Sequence, residues 1–175
     1  NIMHLNRDLQ TSKNTLLILL LLILEIISSI MNNTPIIIIF IPLVSIIAEI
    51  NERAVIKRHE QGWLSEYFQD LDELMARTKI AIQNNEAISL GYVGNIVDLL
   101  EKLDKVNIIP ELGSDQTSLH NPWLGGYYPV GLSFSSANLM IKESPDKFKN
   151  LVKSSLVRHT NIINKLVNKG MKFWD

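Results

Sequence analysis

The sequence contains no cysteine. That absence excludes disulfides, thiolate metal sites and a cysteine nucleophile, and it fits a reducing compartment. Glycine is missing from the whole stretch before Gly62. Charge of one sign is also lacking: 17 basic against 18 acidic residues give a net charge of −1. No strong electrostatic pull toward nucleic acid or anionic lipid is therefore expected. The four histidines, His4, His59, His120 and His159, show no metal-ligand spacing, and no nucleophile triad can be assembled. His59 and His159 fall on expected helices and read as surface or half-buried structural residues. A length of 175 residues suits one domain with a real core. The chain starts at Asn1 and stops at Asp175, and both ends are expected to be truncations.

What is present is unevenly distributed. Leu16 to Leu24 is an unbroken aliphatic run, followed by Glu25, Ile26, Ile27, two serines, Ile30 and Met31. A second run covers Ile36 to Ile47, interrupted by Pro42 and Ser45. A spanning helix needs about 20 mostly apolar residues. The first run is shorter, and a carboxylate such as Glu25 costs a few kcal/mol inside a bilayer. Lys13 before an apolar core, with Ser28 and Ser29 after it, also fits a signal peptide. Residues 1–45 are thus expected to be a separate hydrophobic segment, with residues 1–40 helical or poorly defined and packing little against the rest. Three origins stay open: a gene-model artefact, a membrane segment, and a signal or buried structural segment.

From there on the pattern alternates. Leu43 to Ile50 reads as a buried, β-branched strand ending in an acid. Glu52 to Gln61 reads as a helix stopped by Gly62. Asp70 is an expected N-cap with Glu73 at the capping-box position. Behind it Leu71, Leu74, Met75, Thr78 and Ile82 share one face. Ala87 to Val93 is strand-like, Ile96 to Leu103 helical, and Val106 to Ile109 a third short strand candidate. Strands alternating with helices predict an α/β fold with a parallel sheet. Ser114 to Gly131 has no helical period and reads as a long loop, a length that is usually functional or disordered. Trp123, Tyr127 and Tyr128 argue against disorder. Ser144 and Pro145 open a last helix over 145–169, closed by Gly170.

In an open parallel sheet, ligands bind outside the carboxyl ends of the strands. Glu49 ends the first strand, where an acid can accept from a ribose diol or simply be solvated. Gly94 and Asn95 follow the second strand. A glycine there permits close backbone approach and Asn95 can donate and accept, though plain turn chemistry explains the pair as well. Asp115, Gln116, Thr117, Ser118, His120 and Asn121 concentrate polar groups beside Gly125, Gly126, Tyr127 and Tyr128, which points to a binding loop. One part is missing. A dinucleotide site places a Gly-rich turn about 20 residues ahead of its ribose acid. Counting back from Glu49 lands near Ser29, where there is no glycine.

Several stretches carry a family resemblance. They are Glu60-Gln61-Gly62-Trp63, the segment from Ser89 through Gly94-Asn95-Ile96 to Asp98, and the block Leu112-Gly113-Ser114-Asp115-Gln116-Thr117-Ser118-Leu119-His120-Asn121-Pro122 with Gly125-Gly126-Tyr127-Tyr128-Pro129. With the closing Gly170 to Asp175, they resemble urocanate hydratase over about residues 46–175. The resemblance implies part of a Rossmann-like NAD-binding domain. The family is a cytoplasmic homodimeric lyase of histidine catabolism. It adds water to urocanate, giving 4-imidazolone-5-propanoate, with tightly bound NAD as electrophile. By resemblance Glu49 holds a ribose, Asn95 and Ile96 line the cofactor site, and Gln116, Thr117, Ser118, Leu119, His120, Tyr127 and Tyr128 contact NAD. The catalytic parts fall outside this piece, so the chain alone is expected to be inactive. A membrane-anchored binding module that reuses such a domain is the alternative.

Overall fold

A computed structural model describes residues 37–41, 44–115 and 121–174. All of them belong to one unit, residues 35–175. Six strands form one sheet in the order β3-β4-β2-β1-β5-β6. The strands are β1 (Ile37–Ile41), β2 (Val44–Glu49), β3 (Glu66–Phe68), β4 (Ile88–Val93), β5 (Leu112–Ser114) and β6 (Lys172–Trp174). The helices are α1 (Glu52–Glu60), α2 (Leu71–Gln83), α3 (Ile96–Lys105), α4 (Phe134–Glu143) and α5 (Pro145–Asn168).

The local signals account for most of these elements. Asn51 caps α1 by accepting from the Arg53 N–H. Asp70 caps α2 by accepting from the N–H groups of Asp72 and Glu73. Such caps satisfy donors that the first helical turn leaves open. Leu74, Met75, Thr78 and Ala81 form the buried stripe of α2. Ile96, Val97, Leu99, Leu100 and Leu103 form that of α3. Both stripes pack with Val44, Ile46, Ala48, Leu90 and Tyr92 of the strands into the main core. A second cluster joins Tyr127 to Ala137, Phe148 and Val152, so α4 and α5 hold the aromatic loop from outside the sheet.

The parallel expectation holds where it was made. β2 runs parallel to β4, with Glu49 opposite Val93, and β3 runs parallel to β4. β5 runs parallel to β6. Other expectations need correction. Ile37–Ile41, expected within a helical or loosely associated segment, is a strand antiparallel to both β2 and β5. Its β-branched run suits a strand better than a helix. Val106–Ile109 is not a strand; the chain turns there, with Asn107 at φ 56°, and the strand comes later at Leu112–Ser114. Ser144 stands at the start of α5 without a side-chain cap bond, because it also ends α4, a helix not expected from the sequence. Strands β3 and β6, three residues each, are too short to leave a period. The aliphatic run of residues 16–31 lies outside the described residues.

Candidate functional site

The register brings several strand ends to one edge. Ile38 of β1 faces both Ile47 and Ser114. Glu49 and Asp115 therefore leave the sheet at nearly the same level, two strand spacings of about 4.8 Å apart. From β2 the chain proceeds to β3 and β4 on one side; after β5 it proceeds to β6 on the other. The reversal falls over β1, and a ligand crevice belongs at such a switch point.

Glu49 ends β2 and is only 4% exposed, so it is not a solvated strand end. One carboxylate oxygen, Oε1, accepts from the Asn51 N–H at 2.9 Å. The other, Oε2, lies 3.8 Å from Arg58 Nη1 and has no hydrogen-bond partner among the described residues. Arg58 projects from α1, donates through Nη1 to the Ala54 carbonyl at 3.0 Å, and keeps a buried, unpartnered Nε. Burial pushes the Glu49 carboxyl above its usual range, and the Asn51 N–H and the Arg58 charge oppose that shift. Burial likewise lowers Arg58 against the pull of Glu49.

The end of β4 is tied to the end of β2 by a hydrogen bond from Gly94 N to the Glu49 carbonyl, 3.1 Å long. Gly94 is needed for space. A Cβ there would lie 2.4 Å from Cζ of Tyr92, whose buried phenol is pushed up to about 12 by burial and then by the charges of Asp98 and Asp70. Asn95 uses both ends of its amide. Its oxygen accepts from Val97 N at 2.9 Å and caps α3, and its nitrogen donates to the Tyr128 carbonyl at 2.8 Å. Ile96, the first residue of α3, is buried.

Residues on either side of the segment 116–120 add further groups. Asp115 is buried, with Oδ2 3.6 Å from His159 Nε2. On the other side of that ring, Tyr127 Oη lies 3.4 Å from Nδ1. His159, expected at the surface or half-buried, is buried on α5; nothing in its own spacing marks it, since its partners lie more than thirty positions away along the chain. The Tyr127 ring is 2% exposed, inside the second cluster. Tyr128 is half-buried, donates to Asn138 Oδ1 at 3.1 Å and stacks on Phe134 at 5.2 Å between ring centroids. Its phenol is raised by burial first, opposed by Asn138, with the charge of Glu49 adding to the rise. Gln116, Thr117, Ser118, Leu119 and His120 lie outside the described residues. Among the described residues no group of three or more His, Cys, Asp or Glu could hold a metal ion.

These groups suit one end of a dinucleotide. A buried carboxylate oxygen without a donor matches a ribose hydroxyl, and a buried acceptor left unmet costs about 1–3 kcal/mol. Among the described residues nothing cradles a pyrophosphate at this edge. A parallel strand in the switch slot would deliver a turn and a helix N-terminus to this edge. Antiparallel β1 instead brings its first residue there, and no glycine precedes Gly62.

Parallel strands wound to either side of a switch point, with polar strand ends gathered at one edge, define a Rossmann-like nucleotide-binding domain. The sequence profile of the urocanase Rossmann-like domain matches residues 32–175, a span that takes in β1 as well as the stretch from Ile46 onward. A Caenorhabditis elegans protein named "Probable urocanate hydratase" is 52% identical over 133 residues, covering 75% of this chain. The Mus musculus urocanate hydratase is 47% identical over 137 residues, covering 75% of this chain. The Homo sapiens urocanate hydratase is 43% identical over 142 residues, covering 78%. The chain belongs to the urocanase family. It spans about one fifth of the length of these curated relatives.

Proposed function

We propose that this chain is the ribose-gripping part of the NAD site of a urocanate hydratase, and that it is inactive by itself. The observation that supports the reading is the buried Glu49 Oε2, an acceptor without a donor among the described residues, at the carboxyl edge of a urocanase-family sheet. Bound NAD would supply the electrophile for adding water to urocanate. This chain's own residues do the holding. Glu49 accepts from a ribose hydroxyl, while Asn95 and Ile96 fix the start of α3 beneath the cofactor. Gln116, Thr117, Ser118, Leu119 and His120, which lie outside the described residues, and Tyr127 and Tyr128 supply the remaining contacts to NAD in this reading. Urocanate as substrate of the complete enzyme, a second copy as partner and a cytoplasmic setting come with the same reading.

The membrane-anchored alternative has no observation in its favour: among the described residues no helix is long and apolar enough to cross a membrane. A chimera tests the proposal. Residues 46–174 would replace the matching segment of the nematode relative, and loss of urocanate would be followed by its ultraviolet absorbance. Turnover by the chimera, together with none by the 175-residue chain plus NAD, is the expected result. A folded chimera without turnover would refute the reading.

A further inference from the structure

Two strand ends on opposite sides of the switch point are joined through one imidazole. Asp115 follows β5, and its Oδ2 stands 3.6 Å from His159 Nε2, at ion-pair range. Tyr127 Oη lies 3.4 Å from His159 Nδ1. The carbonyl of the next residue, Tyr128, accepts from Asn95 at the end of β4. In the sheet β2 and β1 separate β4 from β5. The line Asp115, His159, Tyr127, Tyr128, Asn95 thus crosses the switch point from one side to the other. One turn earlier on α5, Ser155 Oγ accepts from Val130 N at 2.9 Å and holds the same stretch. Asp115, His159 and Tyr127 are all buried. Burying polar groups costs stability unless they are matched, and an apolar side chain at 159 would fill the space without joining anything. A matched buried network holds one arrangement of the elements that it joins.

We propose that His159 is a positioning residue for the cofactor edge: it ties the end of β5 to the end of β4 and so places Tyr127 and Tyr128, an inference that rests on the NAD reading of this edge. The tie uses both ring nitrogens. Burial first and the Asp115 charge next hold the Tyr127 phenol above its usual range, with Arg158 opposing and Asp98 adding. Its O–H therefore remains a donor, and Nδ1 accepts. The ring proton then sits on Nε2, beside the Asp115 carboxylate, because the bond made by one ring nitrogen sets the state of the other. One tautomer serves both neighbours.

Nitrogen-15 NMR of the 175-residue chain reads the tautomer. A protonated Nε2 and an unprotonated Nδ1 are expected, and Tyr127→Phe should move the Nδ1 resonance. Amide hydrogen exchange reads the tie without any cofactor. Gly126 N is bonded to the Asn121 carbonyl and Val130 N to Ser155. His159→Phe should speed exchange at both by about tenfold or more, the factor that corresponds to one hydrogen bond of about 1.4 kcal/mol. His159→Gln, whose amide donates and accepts, should restore most of the protection. Tyr127→Phe should give part of the same loss, and it replaces His159→Phe should that variant fail to fold. The chimera of residues 46–174 reads the consequence for the cofactor. There His159→Phe should weaken NAD binding by about tenfold or more, and His159→Gln much less. Ile162→Ala, one turn further along α5 and buried in the main core, should lose stability yet leave NAD binding unchanged. The inference is overturned if His159→Phe leaves either exchange or NAD binding unchanged, if Ile162→Ala weakens NAD binding as much, or if Nδ1 carries a proton. A wild-type chimera that binds no NAD would count against the NAD reading instead, and the exchange and tautomer results would still decide the tie.

Discussion

The side-chain amide of Asn95 bridges two elements: its oxygen accepts from Val97 N at 2.9 Å and its nitrogen donates to the Tyr128 carbonyl at 2.8 Å. The start of α3 and the aromatic loop are therefore fixed by one residue. Losing a cap costs about 0.5–2 kcal/mol, and leaving a buried carbonyl unmet costs about 1–3 kcal/mol more. Asn95→Ala is expected to destabilise the chain by about 2–3 kcal/mol in urea unfolding. Asn95→Asp keeps the cap but turns an acceptor toward the Tyr128 carbonyl. It should lose as much as alanine does, and a value near wild type would show that the bond to Tyr128 contributes nothing.

Gly94 tests the tightness of the β4 turn. The Cβ of an alanine would meet the Tyr92 ring at 2.4 Å, and that ring is buried. Overpacking of this kind costs about 1–3 kcal/mol. Gly94→Ala should lower the unfolding free energy by that amount, and Tyr92→Leu should relieve part of it in a double-mutant cycle, since contacting residues couple. Strict additivity of the two substitutions would contradict the contact.

The buried pair at the end of β2 makes a pH-dependent prediction. Removing one partner of a buried ion pair strands the other, at a cost of about 3 kcal/mol. Glu49→Gln should therefore be destabilising, and Glu49→Gln with Arg58→Met should recover much of the loss. The folded carboxyl of Glu49 titrates above its ordinary value of 4.5. Between that value and the raised one the folded state binds more protons than the unfolded state, so stability falls as pH rises through this window. Relative to the double variant, wild-type stability should decline from about pH 4.5 upward and then level off. A rising difference over that window would mean that the Arg58 charge outweighs burial.

How far the sequence could be read differs from element to element. Asp70 and the stripes of α2 and α3 were legible because caps and helical periods are local. The carboxyl-edge position of Glu49, Asn95 and the loop after β5 was legible because strand ends gather at one edge in a parallel sheet. Burial of Glu49 was not, since its counter-ion Arg58 lies nine positions on, within an ordinary-looking helix. The Asp115, His159 and Tyr127 cluster was equally hidden, being built from three separate stretches. β1 went unread as a strand because an unbroken aliphatic run shows the period of neither strand nor helix, and strands of three residues carry no period at all.

The ribose-gripping edge proposed for this chain has no pyrophosphate cradle among the described residues. Charge-assisted hydrogen bonds contribute about 1.5–3 kcal/mol each, so losing two or three removes several factors of ten in affinity at about 1.4 kcal/mol per factor. Calorimetric titration of NAD into the 175-residue chain tests this most directly. A dissociation constant in the millimolar range or weaker is expected, with binding abolished by Glu49→Ala. A micromolar constant, or binding indifferent to Glu49→Ala, would contradict it.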